Sequence, residues 1–588
     1  MNKYIKTLFA GMLSMTLLSS CTDILDKAPL TEISEEDLWN DPALVEAYVN
    51  SVYNQVGHGW TESWLSSACD ETELTWLRGC ELTNFSRINP SDLGRMNGAW
   101  WGWDNRGWST KWNNITKTNI ILERINEVPF TDESMRNRLI GEVKYLRVFE
   151  YNDLITRWGA MPIITRSFTI ADDELIRSQK RATYEECVDF MVNELDEVIS
   201  QEMLPATFSG DDYGRATSVA ARALKARILL FAASDLMNID VKMPEVGYTT
   251  PRADRWERAA RACTEALDAA LSAGYALYKS TGNPETDYQQ LFLDNTSANK
   301  EVIFARMGTA SNLGDNLSGV EQYNYPNGYG GWGGNCPLQE LVDDYELLEN
   351  GVARRFDWNN PADAAAPFDN RDPRFYASIL YDGAEWKGRP VETYFDVDAA
   401  GNEIGGGRDS RYGNDAWNTS PTGYNVKKFL DEGYVGNTWN FSAKNWIWLR
   451  VAELYLNKAE ALYHIGDENG AREALRPVRE RAGMPAITSS GSQLLADIKH
   501  ERRIELAFEE HRYFDVRRWK EGPQNLGRTV HAIYISKHPD GHKTYKVSPL
   551  RSDIGGDRIF EDKIYWCPIL KSEIDKNPNI TQNPGYTN

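Results

Sequence analysis

The stretch Ala452–Ala482, AELYLNKAEALYHIGDENGAREALRPVRERA, decides the fold. It reads as two helices with Gly466-Asp467 as the turn between them. Ala459 and Ala471 are small residues twelve apart, and Tyr455, Leu462 and Leu475 supply larger residues to interlock with them. Small residues at helix contacts let a bulky neighbour pack, which is the arrangement of a tetratricopeptide-type helical pair.

Working outward, helical periodicity predicts helices over 446–465, 468–482 and 492–519 on this side of the chain. On the N-terminal side it predicts helices from Asp41 to about Tyr53, then over 109–127, 133–157, 183–200, 216–237 and 253–273. The Ala- and Leu-rich run within Arg215–Leu236 suits close helix packing, and 216–237 with 253–273 forms a second, looser pair. Residues 57–108 mix Trp, Gly and Asn and read as a Trp-rich loop. Between 276 and 445 Gly, Asn, Asp, Pro and aromatics replace long periodic stretches, so short strands and long loops are expected. The tail 530–588 is again irregular with short strands. The expected fold class is mainly α: a tetratricopeptide-like helical-pair scaffold with an inserted loop-rich lobe containing short strands. The expected divisions are a signal peptide (1–20), a lipidated tether (21–40), a first scaffold part (41–275), a loop-rich ligand-binding lobe (276–445), a second scaffold part (446–520) and a C-terminal irregular segment packing on the scaffold (521–588).

The start of the chain gives an address. Lys3 and Lys6 precede an uncharged apolar or small stretch, Thr7 to Leu18, of twelve residues. That is too short for a membrane span, which needs ~20 residues, and has the proportions of a signal-peptide core. Leu18-Ser19-Ser20-Cys21 then resembles the lipobox of bacterial lipoproteins, in which the cysteine thiol is acylated and becomes the new N-terminus. Later apolar stretches are too short to span, so lipid on Cys21 is the expected anchor, worth ~0.8 kcal/mol per buried CH₂.

Removing residues 1–20 takes away two lysines and no acid, so the formal charge of −22 becomes −24. A body this acidic is a poor partner for nucleic acid or an anionic membrane surface. Six cysteines remain besides Cys21, with no CxxC among them. Cys69 and Cys80 are open to either a disulfide or two free thiols. The histidines form no HExxH and no tight pair, and no metal or cofactor is expected. Asp396 to Gly401 begins like a calcium loop, but Ala400 and Gly407 fall where ligands belong, so it reads as a hairpin turn. Gly330-Gly331-Trp332-Gly333-Gly334 lacks the lysine and setting of a phosphate loop. Twenty Trp and 28 Tyr at a mean hydropathy of −0.54 are too many aromatics for a greasy core alone. Their flat apolar faces and polar edges suit interfaces and sugar rings.

Three stretches together resemble the SusD-like (RagB-like) family of Bacteroidetes outer-membrane nutrient-binding lipoproteins. They are Cys21 with Leu25-Asp26, Pro29 and the acidic segment to Trp39; Ile498–Trp519, IKHERRIELAFEEHRYFDVRRW; and Tyr565–Ile569 with Glu573-Ile574 and Asn577–Tyr586. Leu154–Pro162 with Trp158-Gly159 resembles a further family segment. The long Ile498–Trp519 motif reads as structural, with Ile504, Phe508 and Val516 on one stripe and Glu509 pairing with Arg512 across a helix surface. The competing idea, an active site of Glu501, Glu505 and His511, is weaker because repeated Glu and Arg on a helix usually form a salt-bridged face.

The resemblance implies a cell-surface protein, outward-facing on the outer membrane, that captures an oligosaccharide or polysaccharide and passes it to a partner SusC-like TonB-dependent transporter. It also implies a shallow arc of aromatics above the helical scaffold. The residues for such an arc are read from this sequence: Trp100, Trp101 and Trp103 in one cluster, and Tyr325, Tyr329 and Trp332 in another. Gly between them lets the backbone project rings outward. Asp92, Arg95, Asn97 and Asn327, with Asp104, are the expected hydroxyl partners, while Trp60, Trp64, Trp76, Trp108 and Trp112 read mainly as packing residues. No catalytic residue is expected. The alternatives are a surface glycoside hydrolase using a carboxylate pair, or a helical-repeat scaffold that binds a protein.

Overall fold

The computed structural model describes residues 34–61, 63–76, 79–98, 106–308, 319–434, 444–551 and 555–587. Cys21 and the signal segment lie outside these residues.

The scaffold helices are α1 (Glu35–Asn40), α2 (Pro42–Tyr53), α3 (Trp108–Arg124), α4 (Glu133–Trp158), α5 (Tyr184–Ser200), α6 (Ser218–Ala233), α7 (Arg255–Ser272), α8 (Val451–His464), α9 (Glu468–Arg481), α10 (Gly491–Glu505) and α11 (His511–Arg518). Local chemistry explains several boundaries. Thr183 and Glu186 form a reciprocal capping box at the start of α5, which satisfies two N-terminal backbone donors. Between α8 and α9, Gly466 takes φ +86° and Asp467 accepts from the Gly470 N–H. Buried alanines along α6, among them Ala220, Ala223 and Ala226, let α7 approach closely. Helix α7 packs on α6 and also on α8, so helices from both halves of the sequence share one stack. This is the mainly helical, tetratricopeptide-like scaffold expected.

Several expectations change. Helix α1 lies within the expected tether, with Trp39 buried at its end. The expected helix 446–465 begins as a strand: Trp446–Arg450 pairs antiparallel with Val302–Arg306, and the helix starts at Val451. The expected helix 492–519 is two helices. Phe508 and Glu510 both take φ +66° between α10 and α11, a conformation that costs about 1–3 kcal/mol for a non-glycine residue. Tertiary contacts offset that cost. The Phe508 N–H donates to Glu71, Glu509 meets Arg450 and Lys428, and Glu510 meets Arg106. The break also separates Ile504 and Phe508, which enter the core of the lobe, from Val516, which enters the scaffold core. Arg512 binds Asp70 rather than Glu509. Finally, the tail forms the short strands expected of it and also extends a sheet of the loop-rich part. His531–Lys537 pairs antiparallel with Lys543–Pro549 and parallel with Phe395–Val397, which pairs in turn with Glu403–Gly406. Tyr565–Ile569 and Ile574 return to the scaffold core.

The loop-rich part has its own aromatic core, built around Trp60, Trp64, Phe292, Phe375, Phe429 and Trp446. A buried ion network joins it to the scaffold. Glu501 and Glu505 of α10 meet Arg374; Glu505 also meets Arg450 and Arg481, and Arg479 meets Glu501.

Candidate functional site

The site begins with a short ladder. Thr72–Leu74 pairs antiparallel with Asn335–Pro337, in the register Thr72↔Pro337 to Leu74↔Asn335. The Thr75 N–H extends it to the Gly334 carbonyl at 2.9 Å. This brings Trp76 beside Trp332 from the far side of the sequence. Their ring centroids are 6.1 Å apart with planes at 77°, an edge-to-face contact. Tyr323 adds a third ring, tilted against Trp332 at 5.4 Å. All three are half-buried, so each ring is held by packing and still reaches solvent. The Trp76 indole N–H is itself buried and has no hydrogen-bond partner among the described residues.

The backbone beneath is tightly fixed. The Trp332 N–H donates to the Gln322 carbonyl at 2.9 Å and the Gly333 N–H to the Tyr325 carbonyl at 3.0 Å. Gly334 has φ +48°, and a Cβ there would lie 2.2 Å from the Tyr323 carbonyl oxygen. Only glycine fits that turn. The other strand is clamped from below. Arg558 donates to the Thr72 carbonyl at 3.0 Å and to Glu73 at 2.9 Å. Asp70 is held by Arg512 at 2.8 Å and by Arg503. Burial alone would raise the Asp70 carboxyl, but the two guanidinium charges outweigh it and hold it below the usual carboxylate range. Glu71 next to it is pushed up to about 8, first by burial.

The expected site residues divide sharply. Trp100, Trp101 and Trp103, with Asp104, lie outside the described residues. Trp332 is at the ring group. Tyr325 is buried; its hydroxyl donates to the Asp431 carbonyl at 2.6 Å and its ring packs on Trp386. The Tyr329 hydroxyl donates to the Arg389 carbonyl at 2.9 Å, and the Arg389 guanidinium covers the ring at 3.7 Å. Asn327 is buried, and its side-chain amide donates to the carbonyls of Ser410 and Asp415 and to the Thr419 hydroxyl. It braces a loop from inside. Arg95 is 1% exposed, with its Nε donating to the Ser63 carbonyl at 2.6 Å; it is turned into the core and cannot meet a surface ligand. Asn97 is exposed and caps α3 by accepting from the Trp108 N–H. Asp92 is exposed and accepts from the Gly94 N–H in a turn. Tyr323 belongs to the aromatic cluster already seen in the sequence, and Trp76, read there mainly as a packing residue, joins it through a non-local signal, since only the ladder brings Trp76 to Trp332.

The other sequence readings resolve here too. Cys69 and Cys80 are both free and buried, and each thiol donates to a carbonyl. Contrary to the expectation of no tight histidine pair, His538 and His542 stack at 4.1 Å beside a hairpin turn. Among the described residues no group of three or more metal-ligating side chains gathers. Glu501 and Glu505 are buried and each is shared among arginines, so they face no cleft.

Comparison with known proteins fits this architecture. Residues 300–586 match the model of the SusD family, and residues 25–230 match a related model described as starch-binding associating with outer membrane. A SusD-like protein from Bacteroides fragilis is 30% identical, with a TM-score of 0.73 over 95% of this chain and 100% of that one. The chain belongs to the SusD family. SusD-like protein P38 from Formosa agariphila is 22% identical across 99% of both chains. Surface glycan-binding protein A from Bacteroides fluxus shares the fold at 18% identity, with a TM-score of 0.61 over 93% of this chain and all of that one. The family description points to outer-membrane association. Among the described residues no helix is long and apolar enough to cross a membrane.

Proposed function

We propose that this chain is a non-catalytic glycan-binding protein of the cell surface, with Trp76, Tyr323 and Trp332 as its sugar-stacking platform. The observation that carries this is the ring group itself. Three aromatic side chains from two distant segments share one half-exposed patch, held on a hydrogen-bonded ladder. Pyranose faces carry C–H groups that stack on such rings, and a rigid platform loses little entropy on binding. SusD-family membership and the name of the Bacteroides fluxus relative support carbohydrate as the ligand class. The lipobox-like Cys21 supports a lipid anchor, and the family resemblance supports the outer membrane as its place, an outward-facing body and delivery to a TonB-dependent transporter. Confinement to the membrane plane raises local concentration, so modest affinity suffices.

The test is affinity electrophoresis of the purified chain against plant, fungal and host polysaccharides, with reducing-sugar release followed in parallel. Retardation without release is the expected result. Release would establish the glycoside hydrolase reading instead, and transporter binding without any retardation would favour a scaffold. Trp332→Ala is expected to weaken binding roughly tenfold, about 1.4 kcal/mol. If Trp332→Ala and Trp76→Ala both leave affinity unchanged, the platform is misplaced.

A further inference from the structure

Trp417 is 78% exposed, and among the described residues it is the tryptophan most open to solvent. An isolated exposed apolar residue needs no explanation by itself. This one sits on a loop whose backbone is braced at several points. The Asn418 N–H donates to the Asp415 carbonyl at 3.1 Å, and the Asn418 amide meets the Asp415 carboxylate. From the core side, buried Asn327 holds Ser410, Asp415 and Thr419 together at 3.1–3.2 Å. The indole therefore projects from a fixed base, and ordering it on a ligand costs little entropy.

The loop is continuous with the aromatic platform. A Cβ on Gly333 would lie 2.5 Å from the Asn418 carbonyl oxygen, so the two backbones touch there. Trp332 immediately precedes Gly333, and Trp417 immediately precedes Asn418. With 3.8 Å between consecutive Cα atoms, the two tryptophan Cα atoms are no more than roughly 14 Å apart. A flat ring left in water beside a platform of the same chemistry suits another stretch of the same ligand.

We propose that Trp417 forms a second stacking subsite continuous with the Trp76–Tyr323–Trp332 platform, so that the preferred ligand is a glycan chain of several pyranose rings rather than a mono- or disaccharide. This rests on the glycan-binding reading above and adds the length of ligand to it. Asn327 is a positioning residue in this scheme, acting through the loop that carries Trp417.

The experiment uses the detergent-solubilised full chain. Affinity electrophoresis selects among soluble starch, laminarin, arabinoxylan, pectin and yeast mannan. A size ladder of oligosaccharides from the retarding polymer is then titrated calorimetrically. In the native chain affinity should rise with length beyond the shortest oligosaccharide that binds. Trp417→Ala should remove that rise, about tenfold at the longest length, and leave the shortest ligand unchanged. Asn327→Ala should show the same length dependence, while Trp332→Ala weakens every length. Equal affinity of Trp417→Ala and native chain at every length, with Trp332→Ala weakened, overturns the second subsite and leaves the platform standing. Equal weakening by Trp417→Ala at every length also overturns it. Unchanged glycan binding with lost co-purification of a transporter would make Trp417 a protein contact instead. If no polymer retards the chain, the platform reading falls and the subsite with it.

Discussion

Replacing Arg450 with Met tests whether the ion network between scaffold and lobe holds the fold together. Arg450 is 2% exposed and lies 2.7 Å from each of Glu301, Glu505 and Glu509. It also donates to the Glu505 carbonyl at 2.7 Å. Met would keep much of the apolar stem contact but leave three buried carboxylates with one cation fewer. Glu301 would retain Arg481 at 3.0 Å, Glu505 would retain Arg374 at 2.9 Å together with Arg481, and Glu509 would retain Lys428 at 2.7 Å. Removing one partner from a buried ion pair destabilises by about 3–5 kcal/mol, and that is the loss expected at neutral pH from urea denaturation with an unchanged slope. The pH dependence is the sharper test. Burial raises the carboxyls of Glu505 and Glu509, but their cationic neighbours outweigh it and leave both below their ordinary 4.5. Such groups contribute stability above the unfolded value, and that stability is lost as pH falls through the folded value. Without Arg450 these carboxyls take up protons at higher pH and relieve the unpaired charge. The unfolded value is common to both chains, so the gap between native and Arg450→Met chains should be widest near pH 7 and shrink as pH falls through the raised carboxyl values of the variant towards the lowered ones of the native chain. A gap under about 1 kcal/mol at neutral pH, or one that stays constant from pH 7 to about pH 3, would refute the reasoning.

Two further outcomes are expected from other parts of the structure. Gly334→Ala should destabilise the chain by about 1–3 kcal/mol and weaken glycan binding as well, because relief of the 2.2 Å contact with the Tyr323 carbonyl moves the turn that carries Trp332; unchanged binding in calorimetry would count against the clamped turn. A Cys21→Ala chain should give no fast reaction with a thiol reagent at pH 8 and six equivalents after denaturation. All six remaining cysteines are buried and free, and burial pushes Cys80 and Cys187 up to about 12; fewer than six equivalents would indicate a disulfide.

The helices were legible because their determinants are local. Apolar periodicity, the Thr183–Glu186 box and the Gly466-Asp467 turn lie within a few residues of what they specify. The failures sit where distant partners decide. Ile498–Trp519 has helical propensity throughout, yet it breaks at Phe508–Glu510 because Glu71, Lys428, Arg450 and Arg106 each hold a group on that turn. None of these residues is within fifty positions of it. Trp446–Arg450 turned from helix to strand for a similar reason, since its hydrogen-bond partner is Val302–Arg306.

The site follows the same logic one level up. Local density of Tyr and Gly pointed to 323–332, but density does not say which rings are covered. Tyr325 and Tyr329 are tied down by Asp431 and Arg389, and Asn327 faces a loop rather than a ligand. Trp332 stays half-open because its neighbours are other rings. The long Ile498–Trp519 motif bears on this platform without forming it. Arg503 and Arg512 hold Asp70, two residues before the strand that leads to Trp76, and Arg558 grips that strand from the tail. Buried ion pairs of this kind fix where the strand lies, and they leave open which side chain stands at its end. The ion pairs therefore position the ladder, while the rings at its end, Trp76 and Trp332, are supplied by residues outside the motif.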